Sequence, residues 1–109
     1  MIITTFKVIV PQENLQELIQ TIGSLRNSIS NQKGFLALHL YLEAALKASD
    51  ETEICLIEEW ETQADFSRHK RSNDFAILLG AFDLLRGQLE MKFGVFSPVR
   101  DRVRRNCMR

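Results

Sequence analysis

Stretches with β-like and helix-like apolar spacing alternate along this chain in an order that restricts its fold to few architectures. Four segments have the alternating, β-branched or aromatic composition of strands, namely residues 2–10, 35–43, 53–61 and 88–97. Between them, the spacing is that of amphipathic helices, from Gln12 to about Asn31 and in two short helices between 62 and 87. The predicted order, β-α-β-β-α-(α)-β, is typical of a split βαβ, ferredoxin-like sheet of the α+β class.

Polar and glycine residues predict where the helices begin and end. Thr62 is expected to cap the first short helix, and Ser72 or Asn73 the second. Gly87 marks the end of the second short helix. Gly23, inside the long helix, costs about 1 kcal/mol relative to alanine. We therefore expect either close backbone packing or a bend at Gly23.

Both faces of the predicted sheet carry apolar residues. In the second strand, the even positions from Leu36 to Leu42 are all leucine. In the third strand, Cys55 and Ile57 point to one face of the sheet, and the apolar residues that alternate with them point to the other face. Helices cover one face of such a sheet, and monomers rarely leave a second apolar face exposed. A chain of 109 residues also buries only about two thirds of its surface on folding. We therefore expect a homodimer that packs sheet face against sheet face around a two-fold axis.

The net charge is zero, but the charges are unevenly distributed. Of the 14 basic residues, five are arginines in the last ten positions, beside a single acidic residue, Asp101. We predict one domain over residues 2–98 and a basic tail over 99–109 that is solvated or docks on the acidic body of its own dimer. The alternative is that the tail contacts nucleic acid. No second basic patch or interleaved aromatic stripe supports this alternative, so no nucleic-acid partner is expected.

Composition also bounds the compartment and the chemistry. No apolar run approaches the roughly 20 residues needed to span a bilayer, and the N-terminus lacks the pattern of a secretory signal. Cys55 and Cys107 are expected to be free thiols in a reducing compartment, the cytoplasm. Two histidines and scattered carboxylates offer no metal-ligand spacing, and no glycine-rich phosphate loop occurs. We therefore expect no metal.

The most distinctive segment runs from Ile57 to His69, IEEWETQADFSRH. Its pattern, EEW-E-(S/T)-x-x-x-(hydrophobic)-x-x-H, resembles the signature of the antibiotic-biosynthesis monooxygenase family, in particular of its quinol-oxidising members. The similarity extends through Val10-Pro11, the segment Gly34-Phe35-Leu36 and the closing strand. The resemblance implies a dimeric α+β barrel with a pocket between helices and sheet. In that pocket a small quinol or polyphenol would be oxidised by dioxygen without metal, flavin or other cofactor.

The same resemblance suggests roles for individual side chains. Trp60 would supply an aromatic wall and an indole N–H donor, and His69 would be the base that takes the phenolic proton. Tyr41 and His39 could add hydrogen bonds to the substrate. Three phenylalanines are candidates for the lining of the chamber: Phe6, Phe66 and Phe82.

Each of these residues also has a simpler interpretation. Trp60 could be a core anchor, and His69, beside three cationic residues, could be a solvated surface histidine. His39 could be hydrogen-bonded packing and Tyr41 an interface residue. Adjacent residues of a strand point to opposite faces, so Glu58 and Glu59 are not expected to form an acid–base dyad.

The chain departs from several branches of the family. Polyketide-oxidising members carry an asparagine, a tyrosine and an arginine where this chain has Leu56, Phe66 and Gly80. Haem-degrading members need an axial histidine at Leu79, so haem is not expected. A second histidine found in many quinol-type members is Asp74 here. These departures favour an alternative function, a non-catalytic dimeric module that binds a small molecule or a partner.

Overall fold

The computed structural model describes residues 1–43, 50–85 and 88–95 of the chain. The elements in chain order are β1 (Ile2–Pro11), α1 (Gln12–Ser30), β2 (Phe35–Leu42), β3 (Glu51–Trp60), α2 (Gln63–Lys70), α3 (Asn73–Leu84) and β4 (Gln88–Val95). The predicted order and the α+β class are confirmed, with each element within about two residues of its expected bounds. α3 ends at Leu84 with Leu85 as its C-cap, slightly before the expected end at Gly87. Gly87 itself and the basic tail lie outside the described residues.

The four strands form one sheet in the order β2-β3-β1-β4, and every neighbouring pair is antiparallel. β1 and β2, which α1 connects, are separated by β3, so the βαβ unit is split as predicted. Opposite positions in paired strands share a face of the sheet. Thr4 on β1 pairs with Glu58 on β3, and Glu58 pairs with Leu38 on β2. These three residues form a row across the face that the helices cover.

The core lies between the helices and that face of the sheet. The predicted apolar stripe of α1 packs inward through Leu18, Ile22, Leu25 and Ile29. It meets alternate residues of β1 and β3, of which Phe6, Leu56 and Trp60 are at most 1 % exposed. The period-3.6 spacing of the helix and the period-2 spacing of the strands therefore converge on one apolar layer.

At the start of β2, the side chains do not follow the predicted alternation in which all the leucines share one face. A register shift between Phe35 and Ala37 places Phe35 opposite Trp60 and leaves Leu36 48 % exposed. From Leu38, which is 3 % exposed, the even positions face the helices. The expectation that Leu36 shares one face with the later leucines was wrong, because the irregularity takes up one residue and changes the phase of the alternation.

The opposite face of the sheet carries apolar residues, as predicted, beside charged ones such as Lys7 and Glu53, and no described helix packs on it. Ile3, Ile9, Cys55 and Ile57 are only half-buried there. Cys55 is a free thiol, and Cys107 lies outside the described residues. We call this surface the open face. Among the described residues, no helix is both long and apolar enough to cross a membrane.

Candidate active site

The site is built where β3 ends and α2 folds back over the sheet. The Thr62 hydroxyl caps α2 by accepting the backbone N–H of Asp65 at 3.1 Å, as the sequence predicted. Gly34, just before β2, has a φ of 84°, and a Cβ there would overlap the Asp65 carboxyl group. The glycine therefore allows the start of β2 and the first turn of α2 to approach closely. This reversal carries His69, in the last turn of α2, back over Trp60.

Three side chains meet at one carboxylate oxygen. The imidazole of His69 stacks on the indole of Trp60 with ring centroids 4.4 Å apart. The indole Nε1–H donates to Glu58 Oε1 at 3.1 Å, and His69 Nε2 lies 3.0 Å from the same oxygen. Glu58, Trp60 and His69 are each 0 % exposed. His69 is therefore not a solvated surface histidine, although its chain neighbours are cationic.

The contact between His69 Nε2 and Glu58 Oε1 limits where protons can lie. At 3.0 Å the two atoms are close, yet Nε2 makes no directed hydrogen bond within the described part of the chain. An unprotonated imidazole nitrogen and a carboxylate oxygen both present lone pairs, which repel each other. The contact is attractive when one proton resides on either member of the pair. Both side chains are 0 % exposed, so this contact lies out of reach of water.

The other side of the imidazole is contacted by Gln32, in the turn that follows α1. His69 Nδ1 lies 3.0 Å from Gln32 Oε1. The Gln32 amide nitrogen donates to Asp74 Oδ2 at 2.8 Å, and the Ser28 hydroxyl donates to that same oxygen at 2.7 Å. Nδ1 is thus held by Gln32, while Nε2 faces Glu58 without a directed hydrogen bond.

Two buried oxygen atoms in this region make no hydrogen bond with any described residue: Glu58 Oε2 and Thr4 Oγ1. Both residues are 0 % exposed, and they are cross-strand partners on the helix-covered face. Buried polar atoms are almost always hydrogen-bonded, because leaving one unpaired costs about 1–3 kcal/mol. The pair therefore leaves one carboxylate oxygen and one hydroxyl group unpaired within the described core.

Aromatic rings surround Glu58 and His69. The ring centroids of Phe75 and His69 are 5.3 Å apart. The ring centroid of Phe6 lies 6.2 Å from that of Phe75 and 6.2 Å from that of Phe82. Phe66, on α2, is 2 % exposed. The three phenylalanines predicted as lining, Phe6, Phe66 and Phe82, thus lie in the same core as Trp60 and His69.

The structure does not bring His39 and Tyr41 to this site. Both lie on the open face, on the other side of the sheet from Trp60. His39 Nε2 is 3.3 Å from Glu59 Oε2, and its ring stacks on that of Tyr41, which is 55 % exposed. A hydrogen bond from either residue to a substrate held at His69 would have to cross the sheet.

Sequence reasoning missed Glu58, Thr4 and Gln32 as members of the site. Glu58 carried a usable signal, since it alternates with Leu56 and Trp60 and therefore had to face the core beside them. The argument that Glu58 and Glu59 point to opposite faces was correct, but the partner of Glu58 is a histidine. No signal in the sequence identified Gln32. Within the described residues, no group of three or more histidine, cysteine or acidic side chains is arranged to hold a metal ion.

The carboxylate of Asp65 stabilises the turn that positions α2. Hydrogen bonds from the Thr62 hydroxyl and then from the Arg68 guanidinium, at 2.8 and 2.9 Å, lower the pKa of Asp65 below its ordinary value. A negative charge in the first turn of a helix also interacts favourably with the helix dipole. Asp65 therefore stays ionised and holds the backbone that supports His69.

Comparison with models of known protein families shows which family this chain belongs to. The family model described as antibiotic biosynthesis monooxygenase matches residues 1–77, from β1 into α3, and includes Glu58, Trp60 and His69. This chain belongs to the antibiotic biosynthesis monooxygenase family. The match confirms the family resemblance of the segment from Trp60 to His69, and it includes Glu58 and Thr4 as well.

Solved structures of the antibiotic biosynthesis monooxygenase fold superpose closely on the chain. A Deinococcus radiodurans protein assigned to the family has a TM-score of 0.79 at 13 % identity, over 93 % of this chain and 97 % of that one. SnoaB, a cofactor-independent oxygenase from Streptomyces nogalater, has a TM-score of 0.70 at 16 % identity, over 92 % and 97 %. A conserved protein from Methanosarcina mazei reaches 0.71 at 20 % identity, over 89 % and 94 %. At these identities the likeness establishes the fold. No curated protein matches the chain.

Proposed function

We propose that this protein is a cofactor-independent monooxygenase that oxidises a small quinol or polyphenol with dioxygen. Family membership supports the reaction class. One observation supports the substrate chemistry: Glu58 Oε2 is buried without a described partner, while the other oxygen of the same carboxylate is held by Trp60 and approached by His69. A carboxylate oriented in this way is a ready acceptor for the hydroxyl proton of an aromatic substrate.

The substrate hydroxyl would lie between Glu58 and Thr4. It would donate its hydrogen to Glu58 Oε2 and accept one from the Thr4 hydroxyl, which satisfies both unpartnered oxygens. The aromatic body would pack against Trp60 and the cluster of Phe6, Phe66 and Phe82. This assignment keeps Trp60 as the wall of the site and makes Glu58 and His69 jointly the base.

Proton transfer activates the substrate for electron transfer to dioxygen. The phenolic O–H bond breaks, the proton moves to Glu58 Oε2, and the electron pair remains on the phenolate oxygen. A proton shared between His69 and Glu58 compensates the new negative charge in a site from which water is excluded. The phenolate is then the reductant: one hydroquinone and one dioxygen give one hydroxyquinone and one water, with one oxygen atom entering the ring.

Oxygen uptake with a panel of hydroquinones tests the proposal, after subtraction of the enzyme-free autoxidation rate. His69→Ala should lower the catalysed rate by about 10²–10⁴-fold, the usual contribution of a positioned base. Trp60→Phe, which removes the indole donor to Glu58, should also slow the reaction. His39→Ala changes a histidine on the open face and is the matched control, expected to retain the wild-type rate. Equal rates in all four proteins would contradict the proposed site.

The closed packing favours a second candidate, a dimeric small-molecule-binding or interaction module. Glu58, Trp60 and His69 are 0 % exposed and in mutual contact, so a ligand reaches them only when α2 or α3 moves. A binding module needs such an opening once per ligand, whereas a catalyst needs it in every turnover. Aromatic ligands that raise the melting temperature but consume no oxygen, in air and across pH, would support this candidate against the monooxygenase.

We further propose that the protein is a homodimer in which the open faces of two copies pack together. The support is the half-buried apolar set Ile3, Ile9, Cys55 and Ile57 on a sheet face that no described helix covers. Tyr41, exposed on the same face, would then be an interface residue. An isologous two-fold contact buries the same patch on both copies.

A further inference from the structure

The orientation of the Gln32 side chain is set by one close acceptor, Asp74, and is compatible with a second, more distant one, Ser72. Asp74 Oδ2 lies 2.8 Å from the Gln32 amide nitrogen, and an ionised carboxylate can only accept hydrogen bonds. Ser72 Oγ lies 3.5 Å from the same nitrogen, and the Ser72 hydroxyl already donates to the His69 carbonyl oxygen at 2.6 Å. Ser72 can therefore only accept from Gln32. Both neighbours require the NH₂ group on this side, which leaves the amide oxygen facing His69.

The amide oxygen of Gln32 in turn determines the hydrogen position on His69. It lies 3.0 Å from Nδ1 and has no hydrogen to donate, so Nδ1 must carry one. The other ring nitrogen, Nε2, is the one that faces Glu58 Oε1. In water, a neutral histidine prefers its hydrogen on Nε2. The protein therefore reverses the intrinsic preference of this side chain.

We propose that Asp74 and Gln32 are positioning residues that keep the hydrogen of neutral His69 on Nδ1, so that Nε2 is the nitrogen that exchanges a proton with Glu58. Asp74 holds Gln32, Gln32 holds the Nδ1–H group, and Nε2 is left with a lone pair directed to the Glu58 side. Ser28 reinforces the chain by donating to Asp74 Oδ2. The hydrogen assignment follows from the geometry alone, and its use in catalysis rests on the proposed monooxygenase function.

Asp74 lies in the first turn of α3, outside the stacked pair of His69 and Trp60. In this structure it contacts neither Trp60 nor Glu58 in any described interaction, and it acts on the buried ring through one intervening amide. A hydrogen bond to one ring nitrogen of a histidine sets the tautomer and the orientation of the ring.

The test compares Asp74→Ala with Asp74→Asn by ¹⁵N NMR of the His69 ring in the protein without substrate. Both variants remove the same charge, but the asparagine carbonyl can still accept from the Gln32 amide. Glu58, which faces the ring from β3, is unchanged in both variants. So are the charged residues that flank His69 along the chain, Arg68, Lys70 and Arg71. A difference between the two variants therefore reports the lost acceptor and not the lost charge.

In the wild type and in Asp74→Asn, Nδ1 should show the chemical shift of a hydrogen-bearing nitrogen at every pH at which the protein is folded. In Asp74→Ala, the Nδ1 resonance should move towards the unprotonated position at the alkaline end, because part of the neutral ring then places its hydrogen on Nε2. An unprotonated Nδ1 in the wild type, or the same Nδ1 shifts in Asp74→Ala and wild type, overturns the inference. Oxygen uptake is not needed for this reading, so loss of the proposed activity and loss of the tautomer control are separate results.

Discussion

His69 stacks on Trp60 with ring planes 25° apart and centroids 4.4 Å apart, and both side chains are 0 % exposed. Nine positions separate them along the chain, and the cap at Thr62 turns α2 back so that its last turn covers the end of β3. The stacked pair shields Glu58 from water. A carboxylate in such a place is stable when a partner carries the compensating proton.

The first prediction concerns this buried pair. Glu58→Gln keeps an acceptor for the Trp60 N–H but removes the charge beside His69, so we expect a loss of about 3–5 kcal/mol in the free energy of unfolding. Glu59→Gln is the matched control. Its partner His39 is exposed, and such a pair contributes at most about 1 kcal/mol. Urea unfolding of both variants measures the difference, and equal losses would show that Glu58 and His69 are not coupled.

The second prediction contrasts two glycines. Gly34→Ala forces a side chain into a φ of 84° and against Asp65, so it should destabilise the protein by about 1–3 kcal/mol or more. Gly23→Ala adds a Cβ with nothing within 4 Å, on an exposed helical position, and should stabilise it by about 0.5–1 kcal/mol. The same open space removes close packing as the reason for Gly23. Thermal unfolding distinguishes the two outcomes, and destabilisation by both variants would contradict the prediction.

The third prediction concerns acid stability. Hydrogen bonds from Thr62 and Arg68 hold the pKa of Asp65 below its ordinary value of 3.8, so the ionised form contributes stability that is present above pH 3.8. That contribution is lost as the pH falls through the lower pKa of the folded state. Asp65→Asn should therefore be less stable than the wild type above this range, with a smaller loss below it. Urea unfolding midpoints measured from about pH 2 to about pH 6, roughly two units on each side of the ordinary pKa, test this prediction. Asp83→Asn, at an exposed position, is the control. Parallel curves for Asp65→Asn and wild type would exclude this role.

The fourth prediction concerns assembly. Ile57→Asp places a charge at the centre of the open face and should convert the dimer to a monomer, because an unpaired charge in an apolar interface is strongly unfavourable. Ile77→Asp changes an isoleucine that is 51 % exposed on the outer side of α3 and should leave the dimer intact. Sedimentation velocity at micromolar concentration compares the two. A wild-type protein that sediments as a 12.6 kDa particle would contradict the proposed dimer.

The site shows where reasoning from a single sequence stops. Trp60 and His69 were found because a local motif contains both, and Phe6, Phe66 and Phe82 because aromatic residues at apolar positions enter the core. Strand alternation places Glu58 beside Trp60, but the sequence does not show that its partner is His69. The family resemblance assigns His39 and Tyr41 to the pocket, yet strand alternation places them on the other side of the sheet from Trp60.

Local spacing determined the elements of this protein, because a period of 2 or 3.6 and a capping hydroxyl depend on residues only a few positions apart. The order of those elements was then sufficient for the split βαβ topology. Tertiary structure alone decided that Gln32, His69 and Glu58 lie together, since they come from the turn after α1, from α2 and from β3. It also decided the phase of β2 at Leu36. Contacts of this kind depend on where α1 and α2 lie over the sheet, with a precision of one hydrogen-bond length. Residue type and spacing along the chain do not determine the distance between groups from different elements.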